Sequence, residues 1–579
     1  MFHPLHLWAP LVTSAVVLVT IFPVLPGERR MSVLKLPAFV VSVLMIAASA
    51  ANGATPVIIH VVASKTEGAY TPVWNYFGAD EPNYIYAPNG EKLLRELSAL
   101  GLAPVYFRTH NLLTTGDGSG SLKWGSTNAY REAPDGSPIY DWTITDRIFD
   151  ALQGAHVRPL VEVGFMPEAL STHPEPYRHN FPNGNIFTGW SYPPKDYAKW
   201  SALVTAWVRH LHQRYDVSGW LWEVWNEPDI PYWHGTAEEY DRLYDVTAAA
   251  IRSELPDAKI GGPESTGPAN DHAAAFLHQF LEHCAHGTNA ATSKTGAPLD
   301  FISFHPKGSP KFIDGHVRMN VGAQLRSVER GMQIVASFPE WRSTPIILGE
   351  SDPEGCAGCK GEQNGYRNGA LYGVSVAEAI ARTYELARKE NVRLQGAVTW
   401  AFEFEDQPYF AGFRELATNG IDKPVLNVFR MLGMLGGDWI SVTSSGAQSL
   451  GNVVANSVTA SPDVNAMATR RDREVDVLVW NYHDDDLPSD PAQVQLAIGN
   501  LPARKIHAEI FRMDTNHGNS FTVWKEMGSP QTPTADQQKQ LQLSSRLVAT
   551  PEKPAITDST ATLNFPLPRQ GVYLVRLKW

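Results

Sequence analysis

Two glutamates stand where apolar runs end: Glu227 after "WLWEVWN" (220–226) and Glu350 after "PIILG" (345–349). The run from Trp220 to Trp225 reads as a strand covered on both faces, as in a parallel sheet. Pro228 cannot donate to a ladder and closes it. Asn226 and Glu227 therefore lie at a C-terminal strand tip, where α/β barrels carry their chemistry. Two opposed carboxylates at such tips are what glycosidic cleavage needs, one to protonate the leaving oxygen and one to attack the anomeric carbon. Asn226 is placed to bond a sugar 2-hydroxyl. His110 and Asn111, at the end of a second strand, are expected to line the sugar pocket. His305 can donate to a carboxylate or hydroxyl, or serve as a satisfied structural histidine. Trp400, ending an eighth strand, can floor the sugar ring.

These residues need a frame that brings distant strand ends together. From about residue 70 to 430, short apolar strands alternate with helical stretches. The strands are expected near 73–78, 104–110, 157–165, 220–228, 259–264, 300–306, 345–351 and 396–402. Between them, "GEKLLRELSALG" (90–101) and "DYAKWSALVTAWVRHLHQRY" (196–215) repeat apolar residues at three- and four-residue spacing. Eight such units predict an α/β fold, a (β/α)₈ barrel over 55–434. An open doubly wound sheet is the structural rival, but no G-x-G-x-x-G turn follows the first strand. After residue 435 the pattern becomes alternating strands with turn signals and no amphipathic helix, which predicts an antiparallel β-sandwich over 435–579. In that reading "SLGNVVANSVTAS" (449–461) is a strand and "GSPQTPTADQQKQLQ" (528–542) a polar loop.

The 579-residue chain has 43% hydrophobic and 19% charged residues, as a globular protein does. A net charge of −12 argues against a non-specific nucleic-acid or anionic-membrane binder, since both partners demand basic surface. Seventeen Trp and twenty Tyr exceed what a core needs and suit the apolar faces of sugars. Residues 1–54 hold two apolar stretches separated by Arg29 and Arg30. The second, with Lys35 and small residues at 48–54, has the parts of a secretory signal, and Met31 is a candidate start. An N-terminal membrane anchor is the alternative. An exported protein, periplasmic or extracellular, is expected. Of the three cysteines, Cys356 and Cys359 ("CAGC") fit a tight-loop disulfide, leaving Cys284 over. No second Cys pair or His-x₃-His accompanies them, so neither metal nor cofactor is expected.

"WEVWNEPD", "DFISFHPKG" and "PIILGESDPEG" resemble the barrel signatures of glycoside hydrolase family 39, whose activities include β-D-xylosidase and α-L-iduronidase. The resemblance covers about residues 70–435. By matching position it implies Glu227 as general acid/base and Glu350 as nucleophile of a retaining exo-glycosidase that works by double displacement. It also implies that Lys307, in "HPKG", and Arg414, in "YFAGFR", could grip a uronic carboxylate as in iduronidase-like sequences. Ser351 and Asp352 after Glu350 depart from the Glu-Trp-Asn type of many xylosidases in the family and lean toward the iduronidase-like branch. A β-D-xyloside is the leading expected substrate, with an iduronide-like uronide or an arabinoside as alternatives. A non-catalytic carbohydrate-binding barrel is the rival of another class, but it has no need of both glutamates.

Overall fold

The computed structural model describes residues 55–502 and 505–579. The N-terminal stretches read as a signal or anchor (1–54) lie outside the described residues. Eight parallel strands close into a barrel: Tyr76–Ala79, Tyr106–Thr109, Arg158–Val163, Leu221–Val224, Lys259–Ser265, Phe301–Phe304, Ile346–Leu348 and Leu394–Thr399. They are called strands 1 to 8 below. Each pairs with its neighbours in order, and strand 8 pairs with strand 1. All eight fall where the apolar runs placed them.

The barrel interior follows from the period of two along each strand. Its lower layer is apolar, with Tyr76, Leu160, Leu221, Phe301, Ile347 and Val398 in one packed cluster. One register step higher on strands 2, 3 and 4, the inward series from Tyr106, Leu160 and Leu221 reaches Arg108, Glu162 and Glu223, all completely buried. The barrel is thus floored by hydrocarbon and charged above it. Helices such as Tyr197–Arg214 and Ala237–Glu254 cover the outer wall. Asp196 caps the first of these, and a Thr236–Glu239 capping box starts the second.

The second unit is a ten-stranded sheet, antiparallel except where Val57–Ala69 runs parallel to Ala492–Gly499. Here the structure corrects the expected boundary. Val57–Ala69 is not part of the barrel, for it pairs with Asp438–Ser444 and with Ala492–Gly499 inside the sheet. Sequence proximity to strand 1 hid this, because strand pairing is non-local. In Glu474–Tyr482 both faces are buried. Val475, Val477 and Val479 enter the sheet's own core, while Leu478, Trp480 and Tyr482 join the barrel's. Trp480 also donates to Glu378 of helix Ala370–Glu390 at 2.6 Å, and Arg382 of that helix pairs with Asp463 at 2.7 Å.

Three helices interrupt the expected all-strand region: Leu450–Asn456, Ser520–Glu526 and Ala535–Ser544. The first replaces part of the strand read at 449–461, and the last begins inside the stretch read as a loop (528–542) and runs two residues past it. Ala535–Ser544 buries only Leu541, so it carries no apolar stripe to betray it. Its sequence signal is the capping box between Thr534 and Gln537. With Trp524, Leu541 packs on Phe410 and Ile421, so this excursion from the sheet buttresses the loop after strand 8. No helix of the described residues is long and apolar enough to cross a membrane.

Candidate active site

The chain leaves strand 4 through a sharp turn in which Trp225 and Glu227 both adopt positive φ, 68° and 42°. Non-glycine residues avoid this region, and such strain gathers at functional sites. The turn is held by the Glu227 amide, which donates to the Glu264 carbonyl at 2.8 Å, and by the Trp225 indole, which donates to the Tyr232 carbonyl at 2.8 Å. It presents the Glu227 carboxylate to His305 Nδ1 at 3.0 Å. Across the mouth, Glu350 follows strand 7. Gly349 must precede it, because a Cβ there would collide with the Glu264 carboxylate and lie 2.9 Å from His305 Nε2. Glu227, His305 and Glu350 each contribute an oxygen or nitrogen within 4.8 Å of the others. The two glutamates predicted from sequence therefore do face one another.

Their surroundings differ. Glu350 is almost wholly buried and meets the Lys307 ammonium, Arg108 at 3.3 Å, His110 at 3.5 Å and His305 at 3.8 Å. Burial alone raises its pKa, but Lys307, His305 and His110 overcome that and hold it well below the usual carboxylate range. Glu350 is thus an anion. Glu227 keeps 14% of its side chain exposed and lacks a lysine or arginine partner among the described residues. His305 bonds Glu227 on one nitrogen and Glu264, at 2.6 Å, on the other. Against burial, which lowers its pKa, Glu350, Glu227 and Glu264 raise it to about 9. At neutral pH this imidazolium donates in both directions. A cation could find three ligands in Glu227, His305 and Glu350, but it would have to displace the Lys307 ammonium from Glu350 and a proton from His305.

His110 has the same construction. Nδ1 faces Asp80 at 3.1 Å and Nε2 faces Glu162 at 3.3 Å. Burial lowers its pKa, but Glu162, Asp80 and Glu350 lift it to about 9. Arg108, also 3.2 Å from Nε2, then meets a like charge, tolerated because Glu162 and Glu350 flank both. Trp400 lies beside this pair, 4.5 Å from the His110 ring and 4.9 Å from the Arg108 guanidinium. Asn226 accepts from Arg108 at 2.9 Å while its own amide nitrogen is buried without a partner. That free donor points to a ligand hydroxyl.

Two residues do not behave as expected. Asn111 spends its amide on the Asp80 carbonyl at 2.8 Å and its oxygen on Thr114 at 3.0 Å, so it shapes a loop rather than lining a sugar pocket. Its φ of 64° marks the same tight turn. Arg414 is fully buried and engaged by protein groups. It donates to the Trp400 carbonyl at 2.9 Å and to the Glu354 carboxylate at 2.6 Å, and lies 3.6 Å from Asp352. The resemblance to iduronidase-like sequences implied a substrate contact, but Asp352 and Glu354 on the loop after strand 7 claim the guanidinium. Lys307 reaches the centre, where it pairs with Glu350 and, at 3.1 Å, Asp352. Cys356 and Cys359 are joined in a disulfide, and Cys284 is free and buried.

Sequence reading missed the centre's organising charge. Arg108 is buried among Glu223, Glu162, Glu264 and Glu350. The signal was available, since "RPLVEV" and "WLWEVW" each carry a glutamate inside a buried run, and such a charge demands a partner. Also missed were Asp80 and Lys123, paired at 2.9 Å, and Tyr232, 3.4 Å from the Lys123 ammonium.

Comparison with known proteins follows the same lines. Residues 58–561 match the family model of glycosyl hydrolases family 39. A beta-xylosidase of Geobacillus stearothermophilus is 26% identical over 493 residues, 82% of this chain and 86% of its own length. An alpha-L-iduronidase of Mus musculus is 25% identical over 487 residues, 77% of this chain and 70% of its own. At the level of fold, a GH39 enzyme from Xanthomonas axonopodis pv. citri superposes with a TM-score of 0.68 at 22% identity, covering 91% of this chain and 98% of that one.

Proposed function

This chain belongs to glycosyl hydrolases family 39 and is a glycoside hydrolase, and we propose that it is a retaining exo-glycosidase whose preferred substrate is a β-D-xyloside. The observation that carries the substrate is that the lysines and arginines about Glu350 and Trp400 are paired with protein carboxylates. Lys307 is taken by Glu350 and Asp352, Arg414 by Glu354, Lys123 by Asp80, and Arg108 by four glutamates. A uronate would need a cation released from one of these pairs. A neutral pentoside needs only hydroxyl partners, which Asn226 and the carboxylates provide. The β-xylosidase relatives lend the same reading support.

In the proposed mechanism Glu350, held ionised, attacks the anomeric carbon. Glu227 protonates the departing oxygen and then, as a base, takes a proton from the water that releases the sugar. Glu227 suits the exchange because His305 is its only ion-pair partner among the described residues and its side chain meets solvent. An oxygen–oxygen approach within 4.8 Å supports retention, for which the carboxyl groups lie about 5–5.5 Å apart rather than about 6.5–9.5 Å. Asn226, bonded to Arg108, donates its free amide to the 2-hydroxyl, and Trp400 supports the ring. Export of the chain is part of the proposal, and the Cys356–Cys359 disulfide is in keeping with an oxidising compartment. A panel of 4-nitrophenyl glycosides tests the reading: turnover should be fastest on the β-D-xyloside, and fastest turnover on a uronide or arabinoside would overturn the substrate.

A further inference from the structure

Four cations face Glu350, and they are held differently. Arg108 also meets Glu162 at 3.0 Å and Glu223, His110 lies between Asp80 and Glu162, and His305 lies between Glu227 and Glu264. The side chains of these three are at most 2% exposed, and all three approach Glu350 Oε1. Lys307 meets Oε2 instead, and its flexible stem leaves it 14% exposed. Its only other carboxylate among the described residues is Asp352, at 3.1 Å.

Asp352 is buried and fixed from several sides. Its Oδ1 accepts from the Trp400 amide at 3.0 Å, and its Oδ2 lies 3.6 Å from Arg414. Its carbonyl accepts from the Gly308 amide, next to Lys307 in the chain, at 3.0 Å. A Cβ on Gly308 would stand 2.5 Å from the Pro353 carbonyl, so the two loops touch backbone to backbone. One carboxylate thus joins the loop of Lys307, the loop of Glu350 and the end of strand 8.

Double displacement changes the charge of Glu350 twice. In the first step its carboxylate bonds the anomeric carbon, the bond to the leaving oxygen breaks, and that oxygen takes the proton of Glu227. Glu350 is then a neutral ester. In the second step water bonds the anomeric carbon and gives a proton to Glu227, while the ester bond breaks and its electron pair returns to Glu350. Arg108, His110 and His305 keep other carboxylates throughout, whereas Lys307 keeps Asp352 alone. We infer that Asp352 is a positioning residue that draws Lys307 off Glu350 as the nucleophile is glycosylated and holds it ready to return as the sugar leaves. The inference rests on the proposed double displacement.

The two steps are read separately with 2,4-dinitrophenyl 2-deoxy-2-fluoro-β-D-xyloside, whose fluorine slows both enough to isolate the covalent enzyme. The rate of inactivation reports attack by Glu350, and the return of activity after the reagent is removed reports release of the sugar. Asp352→Asn keeps an oxygen for the Trp400 amide and removes the charge, leaving Lys307 on Glu350 alone. Inactivation should slow about tenfold or more, the scale of one charge-assisted hydrogen bond, while the return of activity is unchanged or faster. Lys307→Met, at the partly exposed end of the pair, should do the reverse: release slows about tenfold and attack does not slow. This second variant decides the matter if the first fails to fold. Both rates falling together, or neither changing, would overturn the inference. A wild-type enzyme whose intact mass shows no adduct would overturn double displacement, and the inference with it. If only another 2-fluoroglycoside labels the enzyme, the xyloside falls alone and both rates are read with that sugar.

Discussion

Two dense clusters of buried charge sit on neighbouring strand ends of this barrel. One gathers Arg108, His110, His305 and Lys307 about Glu162, Glu223, Glu264 and Glu350. The other ties Arg414 and Arg367 to Glu354, with Arg367 also donating to the carbonyls of Cys356, Ala357 and Cys359 at 2.6–3.2 Å. The second is nearly closed: its charges and the carbonyls of the disulfide turn satisfy one another, except that Arg414 Nη2 is buried 3.6 Å from Asp352 without a hydrogen-bond partner. The first has loose ends. Asn226 Nδ2 and oxygens of Glu162, Glu223 and Glu264 are buried without hydrogen-bond partners. Unmet donors and acceptors are costly in a core and become useful only when a ligand or reaction meets them. The proposed mechanism therefore works in the more open cluster, while the more closed one holds the loop after strand 7 to the loop after strand 8.

The largest effects should come from the open cluster. Glu350→Ala should lower kcat by about 10⁴-fold or more on all aryl glycosides, since no covalent intermediate can form. Glu227→Ala should cost about 10²–10⁴-fold with poor leaving groups. It should spare activated aryl glycosides and recover with azide. Equal losses in both variants, without azide rescue, would break the division of roles.

Arg414→Gln sharpens the contrast. It should destabilise the fold by about 3–5 kcal/mol, because Glu354 and Asp352 lose a buried partner, yet leave the ratio of kcat/KM for xyloside over uronide unchanged within about threefold. Denaturant unfolding and paired kinetics read the two outcomes. A collapse of that ratio with little loss of stability would return Arg414 to the substrate.

The pH dependence of stability should show both clusters. His305 and His110, raised to about 9 in the fold from 6.5, stabilise fully below pH 6.5 and lose that contribution as pH rises through 9. Glu264 and Glu354 go the other way. Burial opposes their ionisation, but Arg108 and His305 lower Glu264 to about 2, and Arg414 and Arg367 do the same for Glu354. Their stabilisation is present above 4.5 and is lost as pH falls toward 2. Urea midpoints should therefore peak between about pH 4.5 and 6.5, and a profile still rising at pH 9 would contradict the histidine assignments.

The smallest effect should come from the disulfide. Replacing Cys356 and Cys359 with Ser opens a loop of only four residues, worth on the order of 1–2 kcal/mol. Arg367 should keep the turn in place, and thermal melts with xyloside kinetics should show a small loss of stability and little loss of rate.

How much the sequence discloses follows the same divide. Barrel strands and paired glutamates are legible because apolar runs, their ends and their alternation with helices are local signals. Arg108 and its glutamates required reading the inward register across strands 2 to 5, which is harder, though a glutamate inside a buried run marks where to look. The pairing of Arg414 with Glu354 was invisible, because it joins two loops that only the closed barrel brings together. The placement of Val57–Ala69 in the far sheet is non-local in the same way, and helix Ala535–Ser544 escaped because it has no apolar face.

The central claim is that Glu227 and Glu350 act as a double-displacement pair, and the first-formed anomer tests it most directly. Proton NMR during hydrolysis of an aryl β-D-xyloside, recorded before mutarotation, should show β-xylose appearing first. Initial appearance of α-xylose would mean a single displacement and would contradict the account.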